Sequence, residues 1–164
     1  MREDPVFEIP SASPAEPPRD GASDIEAAAI RLLAQREHSR HELEAKLARR
    51  FADRALCAQV LDDLEARGLL SDERFVEQYV GSRMRKGFGP LRIRAELREH
   101  GVADELIEAW LDLSTEEWLV QLRQVARDRF GEGRPRDARS QSKQARFLQY
   151  RGFPESLIRR YLWG

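Results

Sequence analysis

The sequence predicts an all-α protein, an elongated tandem array of three three-helix units with about nine short helices. Three observations predict it. Apolar residues recur at three- and four-residue spacing from Ser23 onward, no alternating stretch is long enough for a strand, and the apolar pattern returns at a period near 50 residues. Ser23 with Glu26, Ser39 with Glu42 and Ser114 with Glu117 each fit a capping box, in which Ser and Glu side chains satisfy otherwise unpaired amides of a first helical turn. Gly68, Gly101 and Gly152 follow periodic segments and fit the left-handed position that ends a helix, whereas Pro90 and Pro154 suit first turns.

The stripes follow in order: Ile25, Ala29, Leu32, Leu33; then Leu43, Leu47, Phe51; then Leu56, Val60, Leu64. The fourth helix carries Phe75, Val76, Tyr79 and Val80, the fifth Ile93 and Leu97, and the sixth Leu106, Ile107, Trp110 and Leu111. Each stripe faces one core. With an offset of 50, Leu43, Leu47, Leu56, Val60 and Leu61 fall on Ile93, Leu97, Leu106, Trp110 and Leu111. With an offset of 51, His100-Gly101-Val102 falls on Arg151-Gly152-Phe153, and Trp110-Leu111 on Tyr161-Leu162. A third copy therefore opens with the helix at about Thr115 to Phe130, striped by Trp118, Leu122, Val125 and Ala126, with the loop Gly131 to Asp137 behind it. The expected organisation is a disordered, acidic, proline-rich tail at 1–22, then units at 23–70, 71–113 and 114–164. Units this small bury little surface alone, so contacts between them are expected to carry much of the stability.

The longest apolar runs, such as Ala27 to Ile30, are four residues, against the roughly 20 that a membrane-spanning helix needs. With Glu3, Asp4 and Glu8 among prolines at the start, no secretory signal is readable, and a soluble, cytosolic monomer is expected. Cys57, the single cysteine, reads as a small buried hydrophobe. The formal charge is −1, but unevenly spread: residues 1–22 hold two Arg against five acidic residues, while 115–164 hold eleven Lys or Arg against six.

No catalytic constellation, cofactor motif or metal set is readable, and the chain is read as a non-enzyme. His38 and His41 lie one turn apart, a spacing that can hold a metal, but no third ligand accompanies them. Gly87-Phe88-Gly89-Pro90 matches neither nucleotide-binding pattern and reads as a tight turn. The arginines and lysines remain. Arg94 and Arg98 lie four apart, about 100° from the Ile93 and Leu97 stripe, and are expected on an exposed ridge. Arg83, Arg85 and Lys86 lie upstream; Arg134, Arg136, Arg139, Lys143 and Arg146 run from a loop into a helix; Arg159 and Arg160 sit on the last helix. Such clusters neutralise phosphates or acidic partner surfaces, or are ordinary solvated faces. Aromatic residues fall mostly on the apolar stripes, so few are expected to be available for base stacking.

Three segments, in this order and spacing, resemble the RecX family: His38-Ser39-Arg40-His41-Glu42-Leu43 followed by Lys46-Leu47; Gly68-Leu69-Leu70-Ser71-Asp72-Glu73-Arg74-Phe75; and Arg83-Met84-Arg85-Lys86-Gly87-Phe88-Gly89-Pro90 with Ile93 and Glu96-Leu97. Lys143-Gln144-Ala145-Arg146-Phe147-Leu148 and Arg151-Gly152-Phe153 of the third unit fit as well, and His100 stands where the family often has Lys. The resemblance covers about Ser23 to Trp163. It implies a modular chain that binds along the groove of the filament formed by RecA on single-stranded DNA. It also implies inhibition of RecA ATPase, coprotease and strand-exchange activities, in recombination, DNA repair and the SOS response. Two other readings of the same residues are a helix-turn-helix DNA-binding protein and a helical scaffold with no nucleic acid.

Overall fold

The computed structural model describes residues 21–164, so most of the expected tail lies outside the described residues. Among them nine α-helices follow one another: α1 Ala22–Leu33, α2 Arg40–Ala48, α3 Arg54–Ala66, α4 Asp72–Arg85, α5 Pro90–Glu99, α6 Asp104–Leu111, α7 Thr115–Phe130, α8 Ala138–Arg151 and α9 Glu155–Trp163. No strand occurs among the described residues.

The helix starts obey the side-chain chemistry of capping, with two corrections to the sequence reading. Ser39, Asp53, Ser71, Ser114 and Asp137 each accept an amide hydrogen from the first turn of the helix that follows. Only Ser114 with Glu117 closes both halves of a capping box. Ser39 accepts from the Glu42 amide at 3.1 Å, but the Glu42 carboxylate turns away to Arg36 and Lys46. Ser23 is not a cap at all: α1 begins a residue before it, and its N-cap is Gly21, which has no side chain to offer. Pro90 occupies the first turn of α5, while Pro154 is the N-cap of α9, one residue before the turn expected for it. Gly68, Gly101 and Gly152 adopt the positive φ that the helix-ending motif requires. The bond five residues back in that motif runs from Leu69 to Leu64, from Val102 to Leu97 and from Phe153 to Leu148.

All the extensive helix–helix packing lies within α1–α3, α4–α6 or α7–α9. The buried side chains nevertheless form two clusters rather than three. Ile25, Leu43, Leu47, Phe51, Leu61 and Leu64 belong to the first unit's core. One continuous core runs through the second and third units, from Phe75, Ile93, Leu97 and Ile107 to Leu119, Leu122, Leu148 and Phe153. Cys57 is buried, as expected, and Trp110 is only partly so.

Both junctions use the same positions of the repeat. The start of the second helix in one unit meets the end of the second helix in the next. At the first junction the Ser39 hydroxyl donates to the His100 carbonyl at 2.6 Å; at the second the Gly89 amide donates to the Arg151 carbonyl at 2.8 Å. A Cβ added to Gly101 would stand 2.5 Å from the His41 Cβ, and one added to Gly152 would stand 2.6 Å from the Arg92 nitrogen. The Gly87-Phe88-Gly89-Pro90 turn is thus a seam element. Beyond this shared frame the junctions differ in chemistry. The first adds polar contacts, from the Arg40 amide to Asp72 at 2.7 Å and from Arg74 to Glu37 at 2.8 Å. The second adds the Leu91 amide on the Gly152 carbonyl at 3.0 Å, Gln121 on the Met84 carbonyl at 2.6 Å, and the shared apolar core.

The outer ends of the array depart from the pattern. Where the second and third units have Gly101 and Gly152, the first has Phe51, buried and without positive φ. Where the second unit has Gly89, the third has Ser140, already inside α8, with its amide taken by the Asp137 carboxylate at 2.8 Å.

Candidate nucleic-acid interface

The structure sorts the cations that the sequence singles out. Arg83 is half-buried and held from within: its guanidinium lies 5.0 Å from the Tyr79 ring and 5.2 Å from the Phe88 ring, with Nε 2.7 Å from Glu96. Arg94 makes a two-pronged pair with Glu108 at 2.6 and 2.9 Å, and Arg98 pairs with Asp104 at 2.7 Å. The expected Arg94–Arg98 ridge is therefore neutralised by α6, and Arg94 is only partly exposed. The hydrogen bond between Arg94 and Glu108 raises the arginine's pKa and lowers the carboxyl's, each partner stabilising the other's charge. Arg160 pairs with Glu116, and Arg134 donates to the Gly164 carbonyl at 3.0 Å, tying its loop to the last residue.

Besides Arg134, seven candidates are exposed with no acidic partner among the described residues: Arg85, Lys86, Arg136, Arg139, Lys143, Arg146 and Arg159. Helix geometry brings three of them together. In α8, Arg139, Lys143 and Arg146 project within about 60° of one another, opposite the buried Gln144 and Leu148. The Asp137 cap fixes where that helix starts, and its carboxyl is held below the usual range by the Ser140 amide. Arg85 and Lys86 stand apart from this ridge, beside a cleft of about 400 Å³ between α4, α7 and α8 that Arg129 and Arg151 also line, over Met84, Val125 and Phe147.

The sequence reading missed Tyr150 and the residues that hold it. Tyr150 continues the Arg139–Lys143–Arg146 stripe at the next four-residue step, and it is 74% exposed. The guanidinium of Arg92 lies over its ring at 5.4 Å and over the Phe88 ring at 4.3 Å. The four-three-four spacing was the available signal.

His38 and His41 do not form a metal pair. His38 is buried, with Nδ1 3.0 Å from the Arg36 carbonyl and Nε2 2.9 Å from the Lys46 ammonium. That pattern fixes a neutral ring, donating from Nδ1 and accepting at Nε2. Burial, chiefly, pushes its pKa below the ordinary 6.5. The unfolded chain then takes up a proton that the folded chain refuses, so stability is full above pH 6.5 and falls as pH drops through the depressed value. Urea midpoints are expected to fall between pH 7 and pH 5 in the wild type and to fall less in His38→Gln. Equal slopes would show that another group carries the dependence. Glu42 does not enter this window: burial pushes it up, but hydrogen bonds from Arg36 and Lys46 outweigh that and hold it at about 2.

Three capped helical units on one chain, joined by a repeated seam and carrying an unpaired cationic ridge on the last, define a modular all-α protein. Family models describe each unit in turn: the first three-helix domain of RecX matches residues 27–64, the second 71–111 and the third 115–162. The chain belongs to the RecX family. It is 48% identical over 135 residues to the Regulatory protein RecX of Halorhodospira halophila, covering 82% of this chain and 84% of that one. With the Regulatory protein RecX of Pseudomonas putida it shares 44% over 140 residues, covering 85% and 90%. The crystal structure of RecX from Lactobacillus salivarius has the same fold, with a TM-score of 0.73 at 23% identity over 85% of this chain and 93% of that one.

Proposed function

We propose that this chain docks on the filament that RecA forms on single-stranded DNA and inhibits RecA's ATPase, coprotease and strand-exchange activities, acting as a monomer in the cytoplasm. The observation that carries the reading is the α8 ridge. Its cations lack acidic partners among the described residues, while the arginines of α5 are neutralised within their own unit. A surface of unmatched cations on a RecX-family array suits a polyanionic lattice such as filament-bound DNA or an acidic protein groove. Several units on one chain can engage at once and raise avidity without any single strong site. On this reading the hydrolysis belongs to RecA, and the chain needs no active site of its own.

The test is a titration of the chain into RecA with single-stranded DNA and ATP. Filament binding with loss of ATPase activity is expected, weakening as salt rises. Equally tight binding to duplex DNA without RecA would favour a helix-turn-helix protein instead, and no binding to either would leave a scaffold.

A further inference from the structure

We propose that Tyr150 is a stacking platform for an unpaired base, and that the α8 ridge beside it tracks the phosphates of the same single strand. The proposal rests on the reading of that ridge as a filament contact and names what it touches. Exposed large apolar side chains are few on this surface, and Tyr150, at 74%, is the most exposed of them. Trp163, the other strongly exposed ring, has its indole nitrogen engaged by Gln141 at 3.2 Å. The Tyr150 side chain interacts with the Arg92 guanidinium, which orients the ring without burying it.

The ring is held from behind. Arg92 lies over one face, itself seated on Phe88, fixed by Glu96 at 3.0 Å and reaching the Tyr150 carbonyl at 3.5 Å. This clamp crosses the second junction, from α5 to α8, and leaves most of the side chain to solvent. Arg146 and Lys143 lie about 6 and 10 Å back along the helix axis on the same side. A flat aromatic face followed by a row of unmatched cations is the arrangement by which single strands are held without sequence preference, the base on the ring and the backbone on the charges. A duplex is excluded as the occupant, because its bases already stack on one another and offer no free face. A protein partner could also cover a tyrosine, but it would need matching carboxylates, and the experiment separates the two.

Fluorescence anisotropy with a labelled oligothymidylate and with an abasic oligomer of the same length tests this on the full chain. Tyr150→Ala is expected to weaken oligothymidylate binding at least about 5-fold and leave abasic binding unchanged, with Tyr150→Phe like the wild type. Lys143→Ala with Arg146→Ala should weaken both oligomers. If Tyr150→Ala binds oligothymidylate as the wild type does, or loses equally on both oligomers, stacking is wrong while the ridge stands. If it loses only RecA-filament binding, the ring meets protein. A wild-type chain that binds neither oligomer overturns both this proposal and the DNA side of the filament reading. Circular dichroism confirms that each variant remains helical.

Discussion

Reversing Arg139, Lys143 and Arg146 together to Glu is expected to abolish inhibition of RecA ATPase at physiological salt while leaving the helical signal intact. All three are exposed and none is paired with an acidic residue among the described residues, so the substitution breaks no described ion pair; it turns the ridge from attractive to repulsive for a polyanion. The gentler replacement of all three by Ala gives the quantitative version. Each phosphate neutralised on a single strand contributes about −0.7 to the slope of log affinity against log salt, so three lost contacts should flatten that slope by about 2. An unchanged slope would show that the ridge is solvated in the complex. Reversal of Arg94 and Arg98 makes the contrast. It would set Glu against Glu108 and Asp104, so its effect should appear as a lower melting temperature, not as a lost salt dependence. Exposed pairs of this kind contribute no more than about 1 kcal/mol each, so the shift should be modest.

The second large effect is expected from Gly152→Ala, a loss of about 3 kcal/mol in stability with weakening of the second junction. Two terms add. The residue sits at φ +92°, where any L side chain is strained, and its added Cβ would meet backbone atoms of Arg92 rather than the movable tip of a side chain. The seam bond from Leu91 to the Gly152 carbonyl must then lengthen. Gly68→Ala is the control. It ends α3 in the same motif at φ +70° but has nothing within 4 Å of the added Cβ, so it should cost only the backbone strain, about 1 kcal/mol. Urea denaturation of the two variants isolates the clash, and equal losses would mean that the seam yields freely.

These expectations also show what the sequence could carry. The helix-ending motif at Gly101 and Gly152 was legible because it depends on one residue type and local spacing. The stripes of Leu43, Ile93, Leu97 and Leu148 were legible because periodicity reports which side of a helix is buried. Periodicity does not report what lies opposite, so it could not show the merging of the second and third cores, across which the Trp118 indole reaches the Leu111 carbonyl. The neutralisation of Arg94 and Arg98 by α6 was hidden for a related reason. Their partners Glu108 and Asp104 lie 14 and 6 residues away on the next helix, beyond any same-helix rule. Ser23 failed because a capping box needs only three intervening bonds to look right, while the true start of α1 is set by where the chain enters the first unit. Tyr150 was passed over because aromatic residues fall mostly on the apolar stripes, although its own helix phase places it with Lys143 and Arg146.

A seam that joins unlike faces, the start of one second helix to the end of the next, is the geometry of open polymers: nothing in such a contact limits how many copies can be added. This chain carries the contact twice and then stops it on both sides. Phe51 stands where a left-handed glycine would have to admit a preceding helix start, and the extra turn of α8 covers the place where a following helix end would dock. The described seam surfaces are thus closed to a further copy, and on the proposed filament reading each molecule lands with three units. Covering a long lattice then depends on independent landings, whose spacing is set by the lattice and the supply of molecules and not by self-assembly along it.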